Sequence, residues 1–179
     1  MLFRSFTINA LSLSQGGVIY DYVNGLVDLT SGHVRFIGDP ETRIHEDFLR
    51  ILRFFRFSAS HGVGALDPEG LKQCILAKEN LLSLSRERIH TELFKLMITE
   101  RVPEILAILS HHGFAKLLLG ESFPDRAKRL RAFEKLINKP PCPLLMLAAF
   151  TVLTQSDVDR LRERLRLSND EFNRLTAST

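Results

Sequence analysis

The chain has 179 residues, of which 45% are apolar and 25% are charged, and its formal net charge is +3. These values are typical of a globular protein with a buried core, and they exclude the disordered, collagen-like and disulfide-rich classes. The longest apolar stretch, residues 143–153, is too short to cross a bilayer, so we expect no membrane-spanning protein. The N-terminus lacks the charged, apolar and small-residue order of a signal peptide, so we expect no secreted protein either.

The first forty residues are predicted to form a small sheet. Three short runs, 7–13, 18–23 and 33–37, contain residues that favour strands, and turn-forming residues lie between them. A sheet of so few short strands is marginal alone, so we expect it to pack on the following helices or on a partner.

From Asp39 onward the apolar residues recur with the period of an α-helix. Proline in the first turn and acidic residues near the helix start support this assignment. The predicted helices span residues 40–60, 68–77, 85–98, 102–111, 125–138, 143–153, 156–165 and 169–175. We therefore predict a mainly α chain in three parts: a β-containing piece (1–37), a helical middle (38–120) and a second helical segment (121–179).

The predicted helix that contains residues 46–57 carries a charged stripe opposite an apolar face. Asp47 and Arg50 are three residues apart and would be neighbours on that stripe, which also contains Arg43 and Arg53. In most proteins such a stripe is a solvent-exposed face with a weak helix-stabilising pair.

The same pair could instead select a nucleobase. A carboxylate only accepts hydrogen bonds, and a guanidinium only donates them. Cytosine and adenine present an amino group beside a ring-nitrogen acceptor, whereas uracil and guanine present a carbonyl and an N–H. Asp47 and Arg50 could therefore accept C and A and reject U and G, because a mismatch leaves buried polar groups unpaired.

Four segments carry motifs in a recognisable order. They are FRSFTINA at residues 3–10, DYVNGLVDL at 21–29, EDFLRILR at 46–53 and SRERI at 85–89. Together they resemble the bacterial class II tRNA nucleotidyltransferases, which comprise the CCA-adding enzymes and the related poly(A) polymerases.

The resemblance implies addition of C and A to the 3′ end of tRNA from CTP and ATP, with Mg²⁺ as the metal. It implies that Asp47 and Arg50 select the base, that Arg53 assists, and that Arg4 contacts the triphosphate or ribose of the nucleotide. The three predicted parts would then be a remnant of the catalytic head, the neck domain and part of the body domain.

The resemblance also implies supporting residues. Glu87 and Arg88 match the pair that braces the base-selecting helix, and Asn9 would position the strand that carries Arg4. Five basic residues in the second helical segment would contact the RNA backbone, although a solvated surface helix explains them equally well. They are Arg126, Lys128, Arg129, Arg131 and Lys135.

The sequence departs from the family pattern at its N-terminal motif. Phe3 stands where the family has Arg, and Ser5 stands where it has Asp. The Asp-x-Asp strand that binds metal in the family has no counterpart, because Asp157 and Asp159 lie at a predicted helix start. We therefore assign no catalytic or metal-ligating residue, and expect a fragment that is inactive alone or needs a separate chain carrying the catalytic head.

Two alternatives remain beside a CCA-adding enzyme. The motifs separate it poorly from a poly(A) polymerase, and the missing carboxylates permit a non-catalytic module that binds RNA or nucleotides. Cys74 and Cys142 lie far apart outside any metal-binding pattern, so we expect the reducing cytoplasm as the setting.

Overall fold

The computed structural model describes residues 4–177. The chain forms two compact units, of which the first ends at Leu81 and the second begins at Leu82. Both units are built mainly of α-helices, which confirms the predicted fold class. The predicted three-part division of the chain stays a prediction.

The first unit begins with little regular sheet. A 3₁₀ turn, Thr7–Asn9, precedes strands β1 (Ser12–Leu13) and β2 (Ile19–Tyr20), which pair antiparallel and are exposed. An isolated bridge joins Phe6 and Phe36. The predicted strands 7–13, 18–23 and 33–37 are therefore wrong over most of their length.

A short helix, α1 (Gly25–Ser31), occupies a region where the sequence predicts only a turn. Its start is fixed by Asp21, whose carboxylate accepts hydrogen bonds from the backbone N–H groups of Leu26, Gly25 and Val23. These bonds lower the pKa of Asp21. The helix thus depends on one side chain that supplies acceptors to otherwise unpaired N–H groups.

A buried carboxylate links three segments of this unit. Asp28, which is 5% exposed, accepts a hydrogen bond from Thr7 Oγ1 at 2.5 Å and another from Arg35 Nε at 2.7 Å. Backbone hydrogen bonds also join Thr7 N–H to the Arg35 carbonyl and Ile37 N–H to the Ser5 carbonyl. The N-terminal segment is therefore fixed to residues 28–37 by both side-chain and backbone contacts.

Three further helices complete the first unit: α2 (Pro40–Glu46), α3 (Leu49–His61) and α4 (Pro68–Leu76). A 3₁₀ helix, Lys78–Ser83, follows α4. The aromatic core contains Phe6, Phe36 and Phe54, with ring centroids 4.8 Å apart for the first pair and 5.5 Å for Phe36 and Phe54. This packing holds α3 against the N-terminal segment.

The second unit is all helical. Its helices are α5 (Arg86–Met97), α6 (Val102–His111), α7 (Phe114–Leu118), α8 (Pro124–Leu136), α9 (Pro143–Thr151), α10 (Gln155–Leu165) and α11 (Asn169–Thr176). Helix α9 is the most apolar and packs against α5, α8 and α11. No helix within residues 4–177 has the length and hydropathy required to span a membrane.

Candidate functional site

Asp47 lies at a break between two helices. The predicted continuous helix 40–60 is wrong here, because Asp47 has extended backbone angles (φ −161°, ψ 106°) between α2 and α3. Its Oδ1 accepts a hydrogen bond from Leu49 N–H at 3.1 Å. Aspartate commonly bonds the backbone two residues ahead in this way and interrupts a helix. Asp47 therefore precedes the helix that carries Arg50. The direction of the Asp47 side chain is set by this break and not by the three-residue helical spacing from Arg50.

Arg50 is the centre of a cluster at this break. Its side chain donates from Nη1 to the Arg43 carbonyl at 2.6 Å and to the Glu46 carboxylate. Arg43 Nη1 donates to the same Glu46 oxygen at 2.6 Å. The hydrogen bond from Arg50, together with the charges of both arginines, lowers the pKa of Glu46. We refer to Arg43, Glu46 and Arg50 as the arginine cluster.

The arginine cluster contains buried donors without partners. Arg50 is only 7% exposed, and neither Arg50 Nε nor Arg43 Nε has a hydrogen-bond partner among the residues that the structure describes. A buried N–H group without an acceptor is costly, and such groups deserve a functional explanation. The two Nε donors thus mark the arginine cluster as a part of the first unit in which hydrogen bonding is incomplete.

The N-terminal motif approaches the same cluster. Arg43 Nη2 donates to the backbone carbonyl of Arg4 at 2.6 Å. Asn9 Oδ1 accepts from Phe6 N–H at 3.3 Å and so closes the turn that follows Arg4. The structure thus brings Arg4, Asp47 and Arg50 into one region of the first unit, with Arg53 half-buried one turn further along α3.

Glu87 and Arg88 belong to the second unit and lie at the start of α5. Both are exposed, and Glu87 Oε1 lies 3.3 Å from Arg166 Nε. Their predicted role as a brace for the base-selecting helix stays a prediction. Sequence reasoning also gave no role to Glu46, although its spacing of three from Arg43 and four from Arg50 is typical of helical ion pairs.

The five basic residues on α8 do not share one surface. Lys128, Arg129 and Lys135 are exposed, whereas Arg126 is half-buried and donates to the Val152 carbonyl at 2.6 Å. Lys135 also pairs with Glu100. The exposed members remain suited to contact a phosphate backbone.

Arg131 requires a correction, because its guanidinium points into the second unit. The residue is 7% exposed, its Nη2 donates to the Met97 carbonyl at 2.8 Å, and its Nη1 lies 3.0 Å from Glu134 Oε2. A group held in this way cannot contact RNA, so Arg131 contributes to packing.

The described residues do not fit a magnesium site. Within residues 4–177 there is no group of three or more His, Cys, Asp or Glu side chains that could hold a metal ion. Asp157, at the start of α10, binds the N–H groups of Leu153 and Thr154 and pairs with Arg160. Its carboxylate therefore caps a helix.

Comparisons with known proteins agree with the motifs. The chain is 34% identical over 172 residues to the mitochondrial CCA tRNA nucleotidyltransferase 1 of Danio rerio, and 34% identical over 176 residues to that of Homo sapiens. Each match covers 95% of this chain but only 40% and 39% of the relative. The chain thus spans about two fifths of these relatives. No protein-family model matches it.

Solved structures show the same fold. The Thermotoga maritima CCA-adding enzyme complexed with tRNA superposes with a TM-score of 0.72 over 97% of this chain and 45% of that protein, at 18% identity. The Bacillus stearothermophilus CCA-adding enzyme in complex with CTP gives a TM-score of 0.65 over 96% of this chain and 40% of that protein, at 26% identity. By sequence and fold, the chain belongs to the family of CCA-adding tRNA nucleotidyltransferases and corresponds to less than half the length of the relatives that it matches.

Proposed function

We propose that this chain supplies base selection for the addition of C and A to the 3′ end of tRNA, with CTP and ATP as the nucleotides. The observation that carries the proposal is Arg50, a buried guanidinium whose Nε has no hydrogen-bond partner among the described residues and which lies three residues after Asp47 at the break between α2 and α3. The names of the relatives and the tRNA and CTP complexes of the solved structures support the same activity.

The selection follows from donors and acceptors. The amino group of cytosine or adenine would donate to Asp47, and the neighbouring ring nitrogen would accept from Arg50. Uracil and guanine present the opposite polarity, so each would leave a buried donor and a buried acceptor unpaired. Glu46 and the Arg43 carbonyl hold the Arg50 guanidinium in place before a nucleotide arrives, which limits the side-chain entropy lost on binding.

Arg4 and Arg53 would assist, the former at the triphosphate or ribose. Guanidinium groups suit phosphate oxygens because they offer parallel donors and a permanent charge. Phosphoryl transfer itself is not assigned to residues 4–177, since they do not fit a metal site. We expect a catalytic head to supply that step, in a longer form of the chain or in a separate chain.

The experiment measures the affinities of the chain for CTP, ATP, UTP and GTP by isothermal titration calorimetry. We expect the natural chain to bind CTP and ATP more tightly than UTP and GTP. Asp47→Asn keeps an oxygen for the Leu49 N–H and places an NH₂ donor where the base needs an acceptor, so the preference should disappear or reverse.

Asp39→Asn is the matched control. Asp39 caps α2 by accepting from Thr42 N–H at 2.8 Å, much as Asp47 accepts from Leu49, but it has no place in the proposed pair. Unchanged selectivity in Asp47→Asn, or an equal loss in Asp39→Asn, would remove Asp47 from base selection. A second assay adds the catalytic head and measures incorporation of labelled CTP and ATP into tRNA that lacks its 3′ CCA. Incorporation of both nucleotides indicates CCA addition, incorporation of ATP alone indicates poly(A) synthesis, and no incorporation indicates binding alone.

A further inference from the structure

A basic groove in the second unit is lined by residues that have no assigned role in base selection. It has a volume of about 500 Å³ and is lined by residues from the start of α5, from α7 and from α10. Arg86, Lys116 and Arg164 supply three positive charges, and Leu84 and Leu118 belong to its apolar part. No acidic residue is among the described residues that line it. We call this feature the basic groove.

Backbone carbonyls orient the two guanidinium groups of the groove. Arg86 Nη1 donates to the Glu163 carbonyl at 2.5 Å, and Arg164 Nη1 donates to the carbonyls of Lys116 and Leu117, both at 3.2 Å. These contacts do not cancel the positive charges, because a carbonyl carries no net charge. Each guanidinium has five N–H donors, and these bonds use one nitrogen of each.

We propose that the basic groove binds an unpaired nucleotide of the RNA substrate, with its phosphate at the three cations and its base against the leucines. Oriented guanidinium groups match phosphate oxygens in geometry and charge. The volume lies in the range of about 300–1,000 Å³ that is typical of small-molecule sites. Apolar side chains in the lining favour an unpaired base over a duplex backbone, because a duplex backbone needs only charge.

This inference rests on the proposed function only in naming tRNA as the source of the nucleotide. The binding site itself depends on the charges and shape of residues in the second unit, whereas base selection depends on Asp47 and Arg50 in the first. The two proposals can therefore fail independently.

The experiment measures binding of the full chain to two labelled probes by fluorescence anisotropy. The probes are tRNA lacking its 3′ CCA and a single-stranded RNA hexamer. Each titration is repeated from about 50 to about 200 mM KCl, because phosphate contacts weaken over that range. Lys116→Ala should weaken binding severalfold and reduce the slope of log Kobs against log salt concentration by about one. Leu82, an exposed leucine that lines the groove, should behave differently: Leu82→Ala should weaken binding with an unchanged slope.

Lys72→Ala is the matched control, because Lys72 is an exposed lysine of α4 in the first unit. An unchanged salt slope in Lys116→Ala, equal losses in Lys72→Ala, or absence of RNA binding by the natural chain would each overturn the proposal. Displacement of the hexamer by poly-glutamate at equal charge concentration would overturn the proposal in favour of an acidic protein partner. Displacement by a blunt RNA duplex alone would contradict the claim that the bound nucleotide is unpaired. Nucleotide titrations on the same samples report base selection separately.

Discussion

Removal of the Glu134 carboxylate should destabilise the second unit severely. Glu134 is 2% exposed and faces Arg131 inside the unit, with Nη1 and Oε2 3.0 Å apart. Both carboxylate oxygens and Arg131 Nε lack hydrogen-bond partners among the described residues, so the pair relies on charge attraction in a poorly solvated place. Glu134→Ala leaves the Arg131 guanidinium buried, with the Met97 carbonyl as its remaining hydrogen-bond partner among the described residues.

The expected loss is about 3–5 kcal/mol, the usual cost of leaving one member of a buried ion pair without its partner. The double variant Arg131→Met with Glu134→Leu removes both charges and keeps similar volumes. It loses the hydrogen bond to Met97, which costs about 1–3 kcal/mol for the unpaired carbonyl, but no buried charge remains. The double variant should therefore be more stable than Glu134→Ala.

Urea unfolding followed by far-ultraviolet circular dichroism measures this difference. The chain has no tryptophan, and its two tyrosines, Tyr20 and Tyr22, lie in the first unit, so their fluorescence would not report on the second. With an m value of about 1–3 kcal/mol/M, the midpoint of the second unit should fall by at least about 1 M. A loss below about 1 kcal/mol, or a double variant no more stable than the single one, would refute the reasoning.

Three further changes test other parts of the structure. Gly25→Ala should lower the free energy of unfolding by about 1–3 kcal/mol, because the new Cβ would lie 2.1 Å from the Thr7 carbonyl oxygen. Gly16→Ala, whose Cβ would lie 3.9 Å from Ser14 Oγ at an ordinary contact distance, is the control in the same urea titration. Burial acts to raise the pKa of Asp157, but hydrogen bonds from two backbone N–H groups and an arginine lower it to about 2. The ionised Asp157 therefore contributes about 1–2 kcal/mol to the free energy of unfolding above pH 4, and this contribution is lost as the pH falls towards 2. In Asp157→Asn the urea midpoint should depend less on pH between pH 4 and pH 2. Arg43→Ala should weaken CTP binding about tenfold in calorimetry, because the charge-assisted hydrogen bond from Arg43 to the Arg4 carbonyl is lost. Arg43→Lys keeps the charge and should recover part of the lost affinity.

The helices of the second unit were predictable because their signals are local. Ser85 and Ser168 each precede a helix and each accepts a backbone N–H three residues ahead, at 3.4 and 3.3 Å. A side-chain cap and an apolar period of 3.6 depend only on neighbouring residues. Sequence reasoning therefore placed α5 and α11 within a residue or two of their observed bounds.

Helix α1 and the break at Asp47 were not predictable in the same way. The position of α1 depends on the close approach of Gly25 to Thr7, which are 18 residues apart in sequence by their numbering. The apolar period continues from α2 through Phe48 into α3, so periodicity cannot detect an aspartate that bonds its own backbone instead.

The candidate site was predictable in its residue types and only partly in its contacts. Asp47 and Arg50 were identified by spacing and motif, but the partner that fixes Arg50 is Glu46. Arg131 shows the limit of charge patterns, because its position on α8 resembles that of the exposed Lys128 and only the packed structure reveals its contact with Glu134. Burial of a charge is decided by tertiary neighbours, which a linear pattern does not contain.

The N-terminal segment is held by contacts that do not depend on the peptide bonds of the β1–β2 turn. The bond from Thr7 Oγ1 to Asp28, and the backbone bonds from Thr7 N–H to the Arg35 carbonyl and from Ile37 N–H to the Ser5 carbonyl, join residues on opposite sides of the exposed turn between β1 and β2. A chain cleaved in that turn would keep its N-terminal piece bound to the rest without a peptide bond. The first unit is thus suited to reconstitution from two fragments, one ending before β2 and the other starting with it.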